Sequence, residues 1–329
     1  MSQTVRLKTS AMIASLAAEG QRTKSAPFGH ALAALAESRP EILGLTADLG
    51  KYTDLHVFAK AHPDRYYQMG MAEQLLMSAA AGLAREGFMP FATTYAVFAA
   101  RRAYDFICMA IAEDKLNVKI VCALPGLTTG YGPSHQATDD LAIFRAMPNL
   151  TIIDPCDAHE IEQAVPAIAD HTGPVYMRLL RGQVPLVLDE YDYQFRIGQA
   201  ALLRDGADAL IISSGFMTMR ALEAAALLAR DKIALAVLHM PTIKPLDEAA
   251  ILRETAKAAR LVVVAENHSV IGGLGEAIGA MLMRQGTRCP FRQIGLPDTF
   301  LDAGALPTLH DRYGISAEAV ARRVKDWLE

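Results

Sequence analysis

The sequence predicts an α/β protein built from two doubly wound domains, and three observations predict it. At 329 residues the chain exceeds what one hydrophobic core usually organises. Short apolar runs such as Ile42–Thr46 and Thr151–Ile153 alternate with Ala- and Leu-rich stretches of helical length, the pattern of parallel strands joined by helices. The alternation lapses once, over Gln183–Ile197, and then restarts. Residues 1–190 are therefore expected to form one domain and 191–329 a second, smaller one.

Taken in order, a capped helix is expected from about Thr9 or Ser10. The apolar run Ala11–Ala18 superficially mimics a signal peptide, but Ser15 interrupts it, and Glu19, Arg22 and Lys24 follow where a cleavage site would stand. Pro27–Ala36 has helical periodicity, and Ile42–Thr46 reads as a strand ending in the loop Ala47-Asp48-Leu49-Gly50. Glu73–Arg85 and Phe98–Glu113 read as buried helices, Val118–Ala123 and Thr151–Ile153 as strands. Ala158–Ala169 is a helix with Asp157 as its cap, and Val175–Leu179 returns as a strand. Proline, acids and aromatics mix without period through Gln183–Ile197. Beyond it come strand Ala209–Ser213, helix Met219–Ala229, strand Ala234–Leu238, helix Asp247–Ala258, strand Leu261–Ala265 and helix Gly275–Gln285.

Composition narrows the function classes. Hydrophobic residues make up 52% and charged residues 21%, which supports a generous core and excludes a disordered chain. A net charge of −4, with Arg101-Arg102 the one compact basic pair in the first half, argues against a nucleic-acid surface. The four cysteines, Cys108, Cys122, Cys156 and Cys289, lack C-x-x-C spacing; they suit a reducing cytoplasm better than a zinc site or a disulfide framework. No apolar stretch is long enough to span a bilayer.

Four motifs carry chemistry. Read alone, Glu73 in Gly70-Met71-Ala72-Glu73-Gln74 is a first-turn helix acid, although Met69, Met71, Leu75 and Leu76 give it an apolar setting. Tyr95, Phe98 and Arg101 recur every third residue, so on a helix they would share a face, as core packing or as an apolar slot. His135 lies in Gly132-Pro133-Ser134-His135-Gln136, within a Gly/Pro-rich loop after a strand, where α/β proteins place chemistry. Ile271-Gly272-Gly273-Leu274-Gly275-Glu276 follows a strand but lacks G-x-G-x-x-G spacing, so a tight turn explains it better than a dinucleotide site.

Together and in this order, the first three motifs resemble the pyrimidine-binding half of a transketolase-type thiamine diphosphate enzyme. The His135 string runs on through Asp139–Arg145 and Met147-Pro148-Asn149 in close similarity to that family's substrate loop. The run from Val264-Ala265-Glu266-Asn267-His268 to Gly273-Leu274-Gly275 is similar to the family's C-terminal domain, which serves mainly assembly. The resemblance implies that Glu73 activates the cofactor's aminopyrimidine, and that Tyr95, Phe98 and Arg101 line its site while Asp48 approaches the thiazolium side. It implies that His135 faces the reacting carbonyl oxygens. Arg181 matches an arginine that grips substrate phosphate; for it and for Arg178, phosphate contact and salt bridge remain equally open.

The similarity also has gaps. No Gly-Asp-Gly occurs, the run whose hard oxygen ligands let Mg²⁺ bridge to the diphosphate. The resemblance thus implies a partner, an N-terminal transketolase-like subunit supplying diphosphate and Mg²⁺ ligands, in an assembly such as α2β2. Ala123-Leu124-Pro125 stands where ordinary transketolases carry a His, Tyr131 where they carry an Asp, and Tyr52 where they carry a Ser. Three changes in the substrate shell suggest ketol transfer on a phosphorylated or unusual sugar. Two alternatives are a β subunit of a 2-oxoacid dehydrogenase complex and a non-catalytic assembly subunit. The deoxyxylulose-phosphate synthase branch, which shares the Arg101 pattern, is normally one long chain.

Overall fold

A computed structural model describes residues 16–17, 20–257 and 260–329. The helix expected near Thr9 or Ser10, and Ala258 at the end of another, lie outside the described residues. The first part of the chain contains β1 (Thr23–Ser25), α1 (Pro27–Ala36), β2 (Ile42–Thr46), α2 (His56–Ala61), β3 (Tyr66–Gln68), α3 (Glu73–Arg85) and β4 (Met89–Tyr95). Next come α4 (Ala96–Arg102), α5 (Tyr104–Phe106), β5 (Lys119–Ala123), α6 (Asp140–Arg145), β6 (Thr151–Ile153), α7 (Ala158–Asp170), β7 (Val175–Leu179) and β8 (Gln183–Pro185). The remainder supplies β9 (Ala201–Arg204), β10 (Ala209–Ser213), α8 (Phe216–Arg230), β11 (Leu235–His239), β12 (Thr242–Lys244) and α9 (Glu248–Lys257). It closes with β13 (Val262–Ser269), α10 (Leu274–Arg284), β14 (Phe291–Leu296), α11 (Leu306–Arg312) and α12 (Ala317–Leu328).

The described strands form two main sheets, as the α/β reading expects. The larger has the order β12-β6-β7-β5-β4-β2-β3, the smaller β14-β13-β10-β11-β9, and β1 pairs with β8 in a two-stranded ribbon. Strands β2, β4, β5 and β7 are buried at every residue, which a parallel sheet covered on both faces requires. Within the larger sheet β3 lies on one side of β2 and β4 on the other, so the winding reverses between β2 and β4. Side chains just beyond the carboxyl ends of such strands face an open crevice, where α/β sheets bind ligands.

Three expectations need correction. The helix read over Phe98–Glu113 starts earlier and is broken: Ala103 leaves helical geometry (φ −109°, ψ 10°), and Ile107–Ala112 widens into a π-turn. Tyr95 is therefore the last residue of β4, a strand unforeseen because Pro90 and its Ala-Thr-Thr run break the usual apolar signal. Finally, β12 leaves the second half of the chain to pair antiparallel with β6, Thr242 opposite Ile153, so the larger sheet draws on both halves.

Candidate active site

The sequence-selected side chains converge on the carboxyl edge of the larger sheet. After β2 the backbone turns through Asp48 (φ 58°), and the short helical turn Gly50–Thr53 presents Tyr52. The end of β4 supplies Tyr95, and α4 follows at once with Phe98, Arg101 and Arg102. The loop after β5 brings Tyr131 and His135, and the end of β7 brings Arg181.

Aromatic rings form the middle of the site. Tyr95 and Phe98 lie 5.6 Å apart, tilted by 37°. His135 lies 6.0 Å from Tyr95, 5.5 Å from Phe98 and 5.2 Å from Tyr131. Burial, then the nearby positive charge of Arg102, lowers the pKa of His135, so the ring is neutral at neutral pH. Ser134 Oγ lies 2.9 Å from His135 Nδ1; when the hydroxyl donates there, Nε2 carries the ring N–H. The Arg181 guanidinium lies 5.6 Å from the Tyr52 ring centre, in cation–π range. Burial raises the Asp54 carboxyl to about 6 despite the nearby Arg181, and that carboxylate accepts the Gly182 N–H at 3.1 Å.

Glu73 opens α3 and is 2% exposed. Of its apolar neighbours in sequence, Leu76 is buried and Met69 packs against the core, while Met71 is 81% and Leu75 54% exposed. The nearest charge is one the sequence reading missed: Arg102 Nη1 donates to Glu73 Oε1 at 3.2 Å and Oε2 at 3.3 Å. Arg102 also lies 4.0 Å above the Phe98 ring, so it links the carboxylate to the aromatic group.

Arg101 differs from expectation, and Arg178 and Asp48 take partners within the chain. Arg101 does not join the aromatic group; its fork donates to both Asp139 carboxylate oxygens at 2.9 Å and to the Pro133 carbonyl at 3.3 Å, bracing the His135 loop. Phe98 and Arg101 share α4 as the spacing expects, but the Arg101 side chain turns to the His135 loop rather than to the rings. Arg178 is 1% exposed and resolves its two readings in favour of the salt bridge. It grips Asp140 through Nε (2.9 Å) and Nη2 (3.1 Å), Asp154 through Nη1 (3.1 Å) and the Asn267 carbonyl (3.0 Å), leaving no arm for substrate. Burial alone would lower its pKa, but the two carboxylates outweigh that and push it up. Asp48 is held by Gln68, which donates to Oδ1 at 2.9 Å and accepts the Asp48 N–H at 2.7 Å.

The glycine run at 271–276 binds a carboxyl group of the chain's own. Glu266 accepts N–H bonds from Leu274 (2.6 Å) and Gly275 (2.9 Å), filling the α10 N-terminus that a pyrophosphate would otherwise need. Burial raises its carboxyl to about 7. Among the described residues no group of three or more His, Cys, Asp or Glu side chains is arranged to hold a metal ion, and no helix is long and apolar enough to cross a membrane.

Comparison with known proteins accounts for this architecture. Residues 21–187 match the pyrimidine binding domain of transketolase, and residues 198–320 match the transketolase C-terminal domain. An uncharacterised transketolase family protein, y4mN, of Sinorhizobium fredii is 72% identical over 98% of this chain and 94% of its own length. The 6-deoxy-6-sulfo-D-fructose transketolase subunit SqwH of a Clostridium species is 38% identical over 89% of this chain and 91% of its own. Among solved structures, a split-gene transketolase described as an inactive β4 tetramer superposes with a TM-score of 0.84 at 41% identity, over 92% of this chain and 97% of that one. Both halves of the chain, matched end to end at these identities, belong to the transketolase family.

Proposed function

We propose that this chain is the pyrimidine-side subunit of a heteromeric, thiamine diphosphate-dependent transketolase that moves a two-carbon ketol unit from a ketose to an aldehyde. One observation carries the reading: a buried carboxylate, Glu73, joined through Arg102 to an aromatic group at the point where the sheet reverses. The residues suit an aminopyrimidine. Tyr95 and Phe98 offer ring faces to a flat heterocycle, and Glu73 is placed to exchange a proton with a ring nitrogen. When bound, thiamine diphosphate supplies the nucleophilic carbon that makes and breaks bonds beside a carbonyl. Glu73 would hydrogen-bond the ring nitrogen, and His135, neutral and hydrogen-bonded by Ser134, donates to or accepts from substrate oxygens. Asp48, oriented by Gln68, closes the side near β2.

Substrate recognition falls to Tyr52, Tyr131 and Arg181. Arg181 over the Tyr52 ring is a guanidinium suited to an anionic sugar terminus, phosphate or sulfonate alike. The SqwH relative, named for a sulfo-sugar, supports extending the class beyond phosphates. The diphosphate and Mg²⁺ ligands belong to a partner subunit, since Gly-Asp-Gly is missing from this sequence. Met71 and Leu75, exposed on either side of Glu73 in sequence, provide the apolar surface such a partner would cover. The split-gene neighbour, inactive as a β4 tetramer, supports the same requirement for a second chain.

The test begins with affinity capture from the native cell and identification of a stoichiometric partner carrying Gly-Asp-Gly. In the reconstituted complex Glu73→Ala should lower turnover by about 10²–10⁴-fold, the range of an acid–base group. An undiminished rate would remove the assigned role. Capture of nothing but further copies of this chain would favour the assembly-subunit alternative.

A further inference from the structure

The C-terminal region touches the chemistry more closely than an assembly role requires. The loop that carries His135 leaves β5 and returns to meet itself, with Gly126 N donating to Ala137 O at 2.9 Å and isolated bridges joining Pro125 and Gly126 to Ala137. Between those ends the loop is a series of turns, closed internally by His135 N to Gly132 O at 3.0 Å, Thr128 Oγ1 to Pro125 O at 2.9 Å and Gln136 Nε2 to Thr129 O at 3.2 Å. At its base, backbone groups are held by the other half of the molecule as well. Asn267, at the end of β13, accepts the Leu127 N–H on Oδ1 at 2.8 Å and donates through Nδ2 to the Pro125 carbonyl at 3.3 Å. His310, on α11, donates from Nε2 to the Leu127 carbonyl at 2.8 Å. Both polar groups of Leu127 thus end on side chains from beyond the first sheet.

The contact permits little variation. Asn267 is 2% and His310 3% exposed. At Gly126 (φ +57°) any Cβ would run into the Asn267 carbonyl, so glycine is needed there for both its conformation and its lack of a side chain. The loop's far side is tied as well: Gly304 N donates to Gly130 O at 3.0 Å, and Gln136 Nε2 to Asp302 O at 3.1 Å. Arg101 secures the remaining flank through Pro133 and Asp139. His135 itself meets Tyr95, Phe98 and Tyr131.

We propose that Asn267, assisted by His310, is a positioning residue for His135, holding the base of its loop so that the imidazole is registered against the aromatic group and the bound sugar. The proposal rests on the substrate-facing role given to His135 above. A misregistered ring weakens the transition state more than ground-state binding, because a hydrogen bond at the reacting oxygen depends steeply on its geometry.

The experiment is a double-mutant cycle in the reconstituted complex, with turnover normalised to sites that bind thiamine diphosphate. Asn267→Ala and His310→Leu should each lower kcat about tenfold while changing KM for the ketose less than about threefold. His310→Gln, which keeps an N–H donor, should recover most of the loss. In the His135→Ala background, Asn267→Ala should have no further effect. Hydrogen exchange across residues 125–137 should accelerate in Asn267→Ala with the protection of β5 and β7 unchanged. Additive losses in the cycle, or a faster-exchanging loop with unaltered kcat, would overturn the positioning role. A His135→Ala complex with normal turnover would instead defeat the substrate-facing reading, whatever the loop does.

Discussion

Replacing Arg178 by methionine separates a structural ion pair from a substrate contact by magnitude. The substitution keeps most of the aliphatic volume and removes one cation from between two acids buried to within a few per cent, Asp140 and Asp154. Tyr176 OH (2.7 Å, to Asp140) and Ser214 Oγ (2.9 Å, to Asp154) remain, but neither carries charge. Stripping one partner from a buried pair costs about 3–5 kcal/mol, because the charges left behind lose their compensation. Part of that cost can be escaped by protonation. Burial already raises the Asp154 carboxyl, and without Arg178 it would rise further. The loss should therefore be largest above neutrality and shrink as pH falls. Urea unfolding at pH 8 and pH 5.5 measures it, read as a shift in midpoint at constant slope. A loss below about 1 kcal/mol at pH 8, accompanied by a raised KM for an anionic sugar, would refute the reasoning and return Arg178 to the substrate.

Two buried groups should pull stability against pH in opposite directions. His310, lowered to about 4 by burial, is neutral when folded while the unfolded chain takes up a proton below its ordinary pKa of about 6.5. Its contribution is present above that value and falls by about 3 kcal/mol as pH drops toward 4. Glu266, raised to about 7, behaves conversely: the folded state holds the extra proton, so stability is lost as pH rises from about 4.5 through 7. Glu266→Gln should thus leave a protein more acid-labile than the parent and His310→Gln one less so, as midpoint shifts between pH 4.5 and 7 will show. Tyr131→Asp should move the reconstituted enzyme toward ordinary pentose phosphates; an unchanged substrate profile would argue against Tyr131 as a selector.

Much of the scaffold was legible because burial on both faces leaves unbroken apolar runs. The bounds of β2, β6, β7 and β10 follow from such runs and those of α1 and α3 from helical pattern, while Asp157 at the head of α7 follows from cap chemistry, its carboxylate accepting Glu160 N at 2.8 Å. What escaped was set by distance along the chain. Arg101 and Arg102 are adjacent and chemically identical, and only their places around α4, about 100° apart, decide which turns to Glu73 and which to Asp139. The Asn267 signal was present in the Glu266-Asn267-His268 run. Its meaning depends on a loop in the other half of the chain that no local spacing reveals. The three residues of β12 carry no periodicity at all; a bond network across the two halves makes them a strand.

That last strand ties the order of folding to the order of synthesis. Until β12 emerges, β6 has an open edge of unpaired N–H and C=O groups, the kind of surface that recruits stray strands. The first sheet therefore cannot close while only its own half of the chain exists, and must wait until β10, α8 and β11 have been made. Cutting the chain near residue 190 would leave that edge permanently open, so the excised first half should aggregate unless β12 is supplied as a separate peptide.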